Sequence, residues 1–202
     1  MIAERLELAD WRRQVSELYA AIRAEPDAVA AWKRWCDVRD RLFRSHPQSP
    51  VPAAERGDAT SPAYYDYDPA LSTVAYLEAA DGATFELPGS TSGHVTAERA
   101  GTAHFSLGGT PLTLSMFWLL DYAGGFFLSF RDATSGDETY GAGRYLLDTA
   151  KGADLGGDGR LVLDFNFSYQ PSCSYDPQWS CPLPPRENWL AIPIRAGERL
   201  RR

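Results

Sequence analysis

The sequence predicts a mainly β protein, an antiparallel β-barrel or two-layer sandwich of about nine strands with a pair of helices at its N-terminus. Two observations lead to this prediction. Apolar residues recur at helical spacing before residue 45 and mostly at alternate positions after residue 71. Glycine-containing turn sequences separate the short apolar runs of the second part, and no long helical pattern lies among them, which disfavours a parallel sheet.

The helical pair is predicted over residues 1–45. A first helix over 9–24 has one apolar face, whose residues recur at steps of four, three and four: Trp11, Val15, Leu18 and Ile22. The sequence Glu25-Pro26-Asp27 breaks this pattern, and the proline favours the first turn of a second helix that extends to about Arg44. Charged residues alternate along the second helix, Arg39 among them, and this alternation indicates a solvated face.

A linker and a β domain follow the helices. Residues 46–70 are rich in Pro and Tyr, which predicts an extended linker packed on the next unit. Residues 71–202 form the predicted antiparallel β domain, in which Gly pairs such as Gly108-Gly109 are typical of tight turns. Its strands are predicted at 73–78, 83–87, 94–99, 102–107, 112–119, 126–130, 144–149, 160–165 and 190–194.

Charge and composition exclude several classes of partner. The net charge of -7 and the pI near 5.0 provide no general attraction for phosphate backbones or anionic lipids, so no nucleic-acid partner is predicted. The most apolar window, 116–130, is interrupted by Asp121 and Gly124-Gly125 and is too short to cross a bilayer. No membrane association is therefore predicted.

The expected location is the cytoplasm. Residues 1–13 are charged throughout and lack the apolar stretch of a signal peptide. The chain has 3 cysteines, and this odd, small number does not resemble a disulfide framework, which fits a reducing compartment.

Two segments depart from the pattern of strands and turns: FRDATSGDETYGAGRYL at 130–146, and 164–190, which contains DFNFSYQPSCSY and WSCPLPPRENWL. Together with FRSH at 43–46 and IRAGE at 194–198, these two motif-dense segments resemble the domain-of-unknown-function 1684 family of bacterial and archaeal proteins. The resemblance covers most of the chain, from the second helix onward. It implies a shared fold and a shared site, but it supplies no activity.

The first motif-dense segment contains Asp132, Glu138, Tyr140 and Arg144. If Arg144 opens a strand, its planar guanidinium can hold a carboxylate or phosphate of a ligand, and the flanking Gly141 and Gly143 would allow a ligand close to the backbone. The alternative is an internal ion pair of Arg144 with Glu138 or Asp132 that pins the loop.

The second motif-dense segment begins at the end of a predicted strand. A period of two places Asp164 and Asn166 on one face, with Tyr169 just beyond. If that face is interior, these side chains form a polar patch in an aromatic-lined cavity, and otherwise they face solvent. Glu187-Asn188 precedes the last predicted strand, and Glu187 could supply a carboxylate.

Cys173 and Cys181 are separated by 7 residues in a proline-rich loop. This spacing does not match zinc sites, which use four ligands in close pairs, so a centre built from the two thiols and His46 is disfavoured and no metal is predicted. The remaining alternatives are a loop-closing disulfide or buried, redox-labile thiols. The sequence also contains no dinucleotide, phosphate-loop or serine-hydrolase motif, and no cofactor is predicted.

These candidates together favour a protein that binds a small polar or anionic ligand, and that is an enzyme if carboxylate and tyrosine groups act as acid and base. The candidate catalytic residues are Glu138, Asp164 and Tyr169. The candidate binding residues are Asp132, Tyr140, Arg144, Asn166, Cys173, Cys181, Glu187 and Asn188. Two alternatives remain: a structural or protein-interaction module whose polar loops only lock the fold, and a thiol or metal-binding protein.

Overall fold

The structure, a computed structural model, describes residues 2–57, 60–91, 93–120, 124–156 and 159–201. Two helices, α1 (Ile2–Ala24) and α2 (Ala28–Ser45), precede nine strands in these ranges. The strands are β1 (Ala63–Tyr64), β2 (Ser72–Ala79), β3 (Thr84–Pro88), β4 (His94–Leu107), β5 (Thr110–Leu119), β6 (Gly125–Phe130), β7 (Arg144–Asp148), β8 (Leu161–Asp164) and β9 (Glu198–Arg199).

Both predicted helices are present, with a break where the sequence places it. Asp27 caps α2 because its carboxylate accepts hydrogen bonds from the backbone N–H groups of Val29 at 2.9 Å and Ala30 at 3.1 Å. The first helix begins at Ile2, about two turns before the predicted start. Its first turns have no buried face, but they consist largely of Glu, Arg, Leu and Ala, which favour a helix without tertiary contacts.

Seven strands form one antiparallel sheet in the order β7-β6-β5-β4-β2-β8, with β3 also paired to β4. The sheet curls into a half-barrel, so the protein is mainly β with an N-terminal helical pair. The strands predicted at 94–99 and 102–107 are a single strand, β4, whose register with β5 shifts between Arg99 and Gly101. Gly101 is required there, because a Cβ atom would lie 2.5 Å from the carbonyl oxygen of Glu78.

The predicted strand at 190–194 is wrong. This segment is irregular, although Leu190 and Ile194 are buried in the same apolar cluster as the sheet. It runs beside the chain that comes after β6, where Leu190 N–H donates to the Arg131 carbonyl at 2.8 Å. Its alternating apolar residues therefore fill the core without joining a ladder. The two-residue strands β1 and β9 pair with each other and were not predicted.

The two edge strands of the sheet, β7 and β8, are linked by the chain that follows β8. Tyr145 of β7 and Tyr169 exchange backbone hydrogen bonds of 2.8 and 3.0 Å. The helical pair packs beside this junction, where Trp35 is fully buried and its ring contacts Tyr64 and Phe167 at centroid distances of 5.5 and 5.6 Å. Within the described residues, no helix has the length and apolar character needed to cross a membrane.

Candidate functional site

Arg144 opens β7 with 1% of its surface exposed. Its Nη2 donates to Asp132 Oδ2 at 2.6 Å and to the Ile194 carbonyl at 2.7 Å. Its Nη1 donates to the Glu198 carbonyl at 3.1 Å and also to the Ala196 carbonyl. Both terminal nitrogens are thus occupied by groups of the protein, and the side chain ties the first motif-dense segment to the C-terminal chain.

Gly143, which precedes Arg144, is required by a close contact between two segments of the protein. Gly143 has a φ of +100°, and a Cβ atom there would lie 2.5 Å from the carbonyl oxygen of Phe130. The close approach at this position is therefore between β6 and β7. Gly141 has no comparable contact, since its Cβ would lie 3.6 Å from the nearest atom, Gly136 Cα.

Glu138 and Tyr140, in the loop before β7, have different surroundings. Glu138 accepts a hydrogen bond from the Tyr65 hydroxyl at 3.0 Å and pairs with Arg195 through both carboxylate oxygens at 2.7–3.0 Å. Burial and this hydrogen bond raise the pKa of Tyr65 to about 12. Tyr140 instead donates to Cys173 Sγ at 3.8 Å.

Asp164 and Asn166 join the linker to the end of β8. The strand ends at Asp164 and Phe165–Phe167 form a 3-10 helix, so the predicted alternation of faces does not continue through Asn166. The Asn166 side chain bonds the backbone N–H and carbonyl of Asp68 at 2.9 and 2.8 Å, and also donates to Asp164 at 2.8 Å. Burial raises the pKa of Asp164, against the lowering effect of its hydrogen bonds with Asn166.

Asn188 and Glu187 hold the second motif-dense segment on the sheet. Asn188 is fully buried, and its side-chain oxygen and nitrogen bond the backbone of Ser115 at 2.7 and 2.9 Å. Its nitrogen also donates to the Ser129 carbonyl at 2.8 Å. Glu187 forms an ion pair with Arg99. These side chains, like Arg144 and Asn166, mainly bond backbone groups or side chains distant in sequence.

A cavity of about 330 Å³ lies elsewhere, between the helical pair and the chain after β8. The aromatic residues that line it are Trp11, Tyr19, Phe43, Tyr145, Tyr169 and Trp179. Of the predicted site residues, the structure places Tyr169 and Cys181 in this wall. Glu138 lies beside a different cavity, of about 300 Å³, together with Tyr64, Tyr65, Asp66 and Arg199.

Arg39 of α2 also lines the aromatic-lined cavity and is not on a solvated face as predicted. Its Cζ atom lies 5.0, 4.9 and 4.9 Å from the ring centroids of Trp35, Phe43 and Tyr169. Its Nε donates to Glu198 Oε1 at 2.8 Å and Nη2 contacts the same oxygen, whereas Nη1 has no acceptor among the described residues. Burial lowers the pKa of Arg39, but the Glu198 carboxylate and the surrounding tyrosines together raise it above its ordinary value, so the guanidinium remains charged.

The burial of Arg39 differs from the exposure that its charge suggests. The signal was its spacing: Trp35, Arg39 and Phe43 recur every four residues and so share one face of the helix. Glu198, its partner, is completely buried, and its second oxygen accepts hydrogen bonds from the Gln170 N–H at 2.7 Å and the Tyr175 hydroxyl at 3.2 Å.

Positive charge distinguishes the aromatic-lined cavity. Arg12, Arg39 and Lys151 line it, and no Asp or Glu is among the described residues of its wall. Lys151 pairs with Asp148 at 2.6 Å. Gln170 is 5% exposed and also lines the cavity, and its Oε1 is buried without a hydrogen-bond partner in the described chain. The wall can therefore offer aromatic surface and cationic donors to a ligand.

Cys173 and Cys181 are both buried free thiols, and both belong to one apolar cluster with Tyr145. Hydrogen bonding from Cys181, and further bonds from Ser90 and Tyr140, lower the pKa of Cys173 to about 6, against the opposing effect of burial. His46 contacts Asp10 at 3.3 Å instead of the thiols. No group of three or more His, Cys, Asp and Glu side chains suited to a metal ion occurs in the described part of the chain.

The curled antiparallel sheet and the helical pair define a class of mainly β proteins that is also found among solved structures. One of them, the solution NMR structure of an uncharacterized protein from Haloarcula marismortui, has 34% sequence identity and a TM-score of 0.62, covering 85% of this chain and 93% of that chain. A family model described as "Protein of unknown function (DUF1684)" matches residues 60–199, and the chain belongs to this family. A search of curated proteins finds no match.

Proposed function

We propose that the protein binds a small anionic molecule in the cavity between the helical pair and the chain after β8. The observation that carries this proposal is the composition of the wall, which combines aromatic rings with Arg12, Arg39 and Lys151 and has no carboxylate among its described residues. Mostly apolar walls with a few convergent polar groups are typical of ligand sites. The volume of about 330 Å³ limits the ligand to a small molecule.

The wall suggests how such a ligand is held. Arg39 is fixed by three rings and by Glu198, so its remaining Nη1 donors are oriented before a ligand arrives. A carboxylate or sulfonate of the ligand accepts from Nη1, and the apolar body of the ligand packs on Trp11 and Trp179.

We propose binding, without acid–base catalysis, as the activity of this cavity. Tyr169 is the candidate catalytic residue that lines it, and burial raises the pKa of its hydroxyl well above 10. At neutral pH this hydroxyl is protonated and acts as a hydrogen-bond donor. Glu138 and Asp164 do not line this cavity; their carboxylates bond Arg195 and Asn166.

A structural role for the motif-dense segments also supports the cavity as the site of ligand binding. Arg144, Asn166 and Asn188 are at most 1% exposed and bond backbone groups far away in sequence. We propose that they lock the fold and so hold the cavity wall in place.

The net charge of -7 favours small anions over polyanions as ligands of the protein. The three free thiols favour a reducing, cytoplasmic location.

A thermal-shift screen with matched pairs of compounds tests the proposal. Each aromatic or aliphatic anion is paired with its neutral amide, beginning with 1-naphthoate and naphthalene-1-carboxamide. We expect at least one anion, and not its amide, to raise the Tm of the protein. The proposal is wrong if no anion in the screen raises the Tm, or if each amide raises it equally.

Variants locate the binding in the cavity. Arg12→Gln removes an exposed cation of the wall and should weaken binding about two- to fivefold, whereas Arg13→Gln, beside it but outside the wall, should not. Ser172→Phe fills the cavity and should abolish the shift, with the exposed Ser106→Phe on β4 as its control. Equal shifts in Ser172→Phe and Ser106→Phe would place the binding elsewhere.

A further inference from the structure

A further cavity, of about 530 Å³, lies inside the curve of the half-barrel, at the end where its edge strands stay apart. We propose that this half-barrel cavity binds an uncharged, apolar small molecule. The proposal is independent of the anion site, because the two cavities have no lining residue in common among the described residues.

The curl of the sheet produces this cavity. The edge strands β7 and β8 are linked through Tyr145 and Tyr169, but they share no ladder in the described part of the chain. Strands β2, β5, β6, β7 and β8 each contribute apolar side chains to the wall: Ala75, Leu77, Met116, Phe126, Leu147 and Leu161. The mouth of a β-barrel is a common place for a ligand site.

The wall continues the apolar core of the sheet. Ala75, Met116 and Leu147 belong to that core, and Phe126 and Leu161 pack against it. Leu77 shares the inner face of β2 with Ala75, yet 38% of its surface is exposed, because no side chain of the described residues covers it fully. An apolar ligand would remove this surface from water, which favours binding.

The polar groups of the wall favour an uncharged ligand. Its described charged residues are one acid, Asp154, and one base, Arg160, so the wall has no excess of either sign. Asp154 Oδ2 pairs with Arg23 Nη1 of α1 at 3.3 Å. The Thr149 hydroxyl accepts a hydrogen bond from the Phe126 N–H at 2.7 Å. A charged ligand would lose its hydration here without gaining a matching excess of opposite charge.

The volume limits the ligand to a small molecule. A dry apolar cavity of about 150 Å³ holds one benzene molecule, so about 530 Å³ admits two to three rings or a chain of about ten carbons. A helix of a partner protein has a diameter of about 10 Å, and the cavity has room for only about one turn of it. A small molecule therefore fits this cavity better than a segment of a partner protein.

Fluorescence titration with N-phenyl-1-naphthylamine, an uncharged probe that brightens in apolar surroundings, tests the proposal. We expect one saturable site in the wild type, from which uncharged 1-decanol displaces the probe. The anion 1-naphthoate should not displace it, because that compound belongs to the anion site. Absence of saturable binding, or displacement of the probe by 1-naphthoate, would overturn the proposal.

Variants on the two faces of β2 locate the site. Leu77→Glu places a carboxylate in the wall and should weaken binding of N-phenyl-1-naphthylamine about tenfold or more. Val74→Glu is the matched control, because Val74 lies on the outer face of the same strand and is 48% exposed. Equal weakening of binding in the two variants would place the probe outside the half-barrel cavity and overturn the proposal.

A measurement on the wild type needs no variant. Met116 is one of 2 methionines in the chain and lines the cavity with only 2% of its surface exposed. Its methyl resonance, observed by NMR in protein labelled with ¹³C at the methionine methyl groups, should shift as 1-decanol is added and reach a plateau with the probe-displacement Kd. A Met116 resonance that does not move when the site is saturated would contradict binding in this cavity.

Discussion

Arg144 and Arg39 are both buried guanidinium groups, but their surroundings give them different roles. The terminal nitrogens of Arg144 bond Asp132 and three backbone carbonyls, which leaves nothing to offer a ligand. Arg39 is enclosed by aromatic rings, is neutralised on one side by Glu198, and lines a cavity on the other. The sequence favours Arg144 as the ligand group because it lies in a motif-dense segment, but residue type does not reveal which arginine has donors free for a ligand.

Removal of Arg144 should strongly destabilise the fold. In Arg144→Ala, the Asp132 carboxylate stays buried without its cation, so we expect the free energy of unfolding in urea to fall by about 3 to 5 kcal/mol. Arg195→Ala is the matched control, because Arg195 also pairs with a carboxylate but is 58% exposed, so its loss should cost far less stability. Similar costs for the two variants would contradict the structural role of Arg144.

The reactivity of Cys173 should depend on pH in a way that Cys36 does not share. Hydrogen bonds lower the pKa of the Cys173 thiol from 9.0 to about 6, so its alkylation rate should rise through an inflection near pH 6 and level off above it. Burial raises the pKa of Cys36, so its rate should still be rising at pH 9. An inflection of Cys173 near its ordinary pKa would show that the hydrogen bonds do not stabilise the thiolate.

Secondary-structure elements follow the sequence wherever local chemistry determines them. The break at Pro26, the cap at Asp27 and the Gly108-Gly109 turn between β4 and β5 are all local, and all are present in the structure. The errors occur where distant residues decide the conformation. The segment 190–194 has a strand-like pattern but packs beside the chain after β6, and β1 and β9 exist only because residues 63–64 and 198–199 meet.

The cap of α2 gives a prediction at this scale. Asp27→Ala removes the acceptor for two backbone N–H groups of the first turn, and we expect a loss of about 1 kcal/mol in the free energy of unfolding. Lys33→Ala, at an exposed position within the same helix, should change it by less than about 0.5 kcal/mol. A negligible effect of Asp27→Ala would mean that other contacts fix the start of α2.

The junction of β6 and β7 gives a second prediction. Gly143→Ala places a Cβ atom 2.5 Å from the Phe130 carbonyl at a positive φ, so it should lower the free energy of unfolding by about 1 to 3 kcal/mol. Gly141→Ala, two residues earlier and free of such a contact, is the control and should have little effect. Equal stability of the two variants in urea would remove the packing explanation for Gly143.

The tertiary structure brings the candidate residues into two arrangements, each built from distant parts of the chain. The motif-dense segments supply an interior network that joins the linker, the sheet and the C-terminal chain through Arg144, Asn166 and Asn188. The cavity forms where α1 and α2 meet residues 169–182, and it combines Arg39 with Tyr169, 130 positions along the chain (169 minus 39). The sequence predicts the fold class from periodicity, but this meeting of distant residues depends on the tertiary structure.

Titration calorimetry of the wild type and Arg39→Lys with 1-naphthoate, or with another anion found by the thermal-shift screen, tests the central claim most directly. Lysine preserves a charge beside Glu198 but loses the planar donors enclosed by the rings. We predict one saturable site in the wild type and a Kd about 10- to 100-fold higher in Arg39→Lys, as expected when a charge-assisted hydrogen bond is lost. An unchanged Kd in Arg39→Lys, or no saturable binding of any anion to the wild type, would contradict the account.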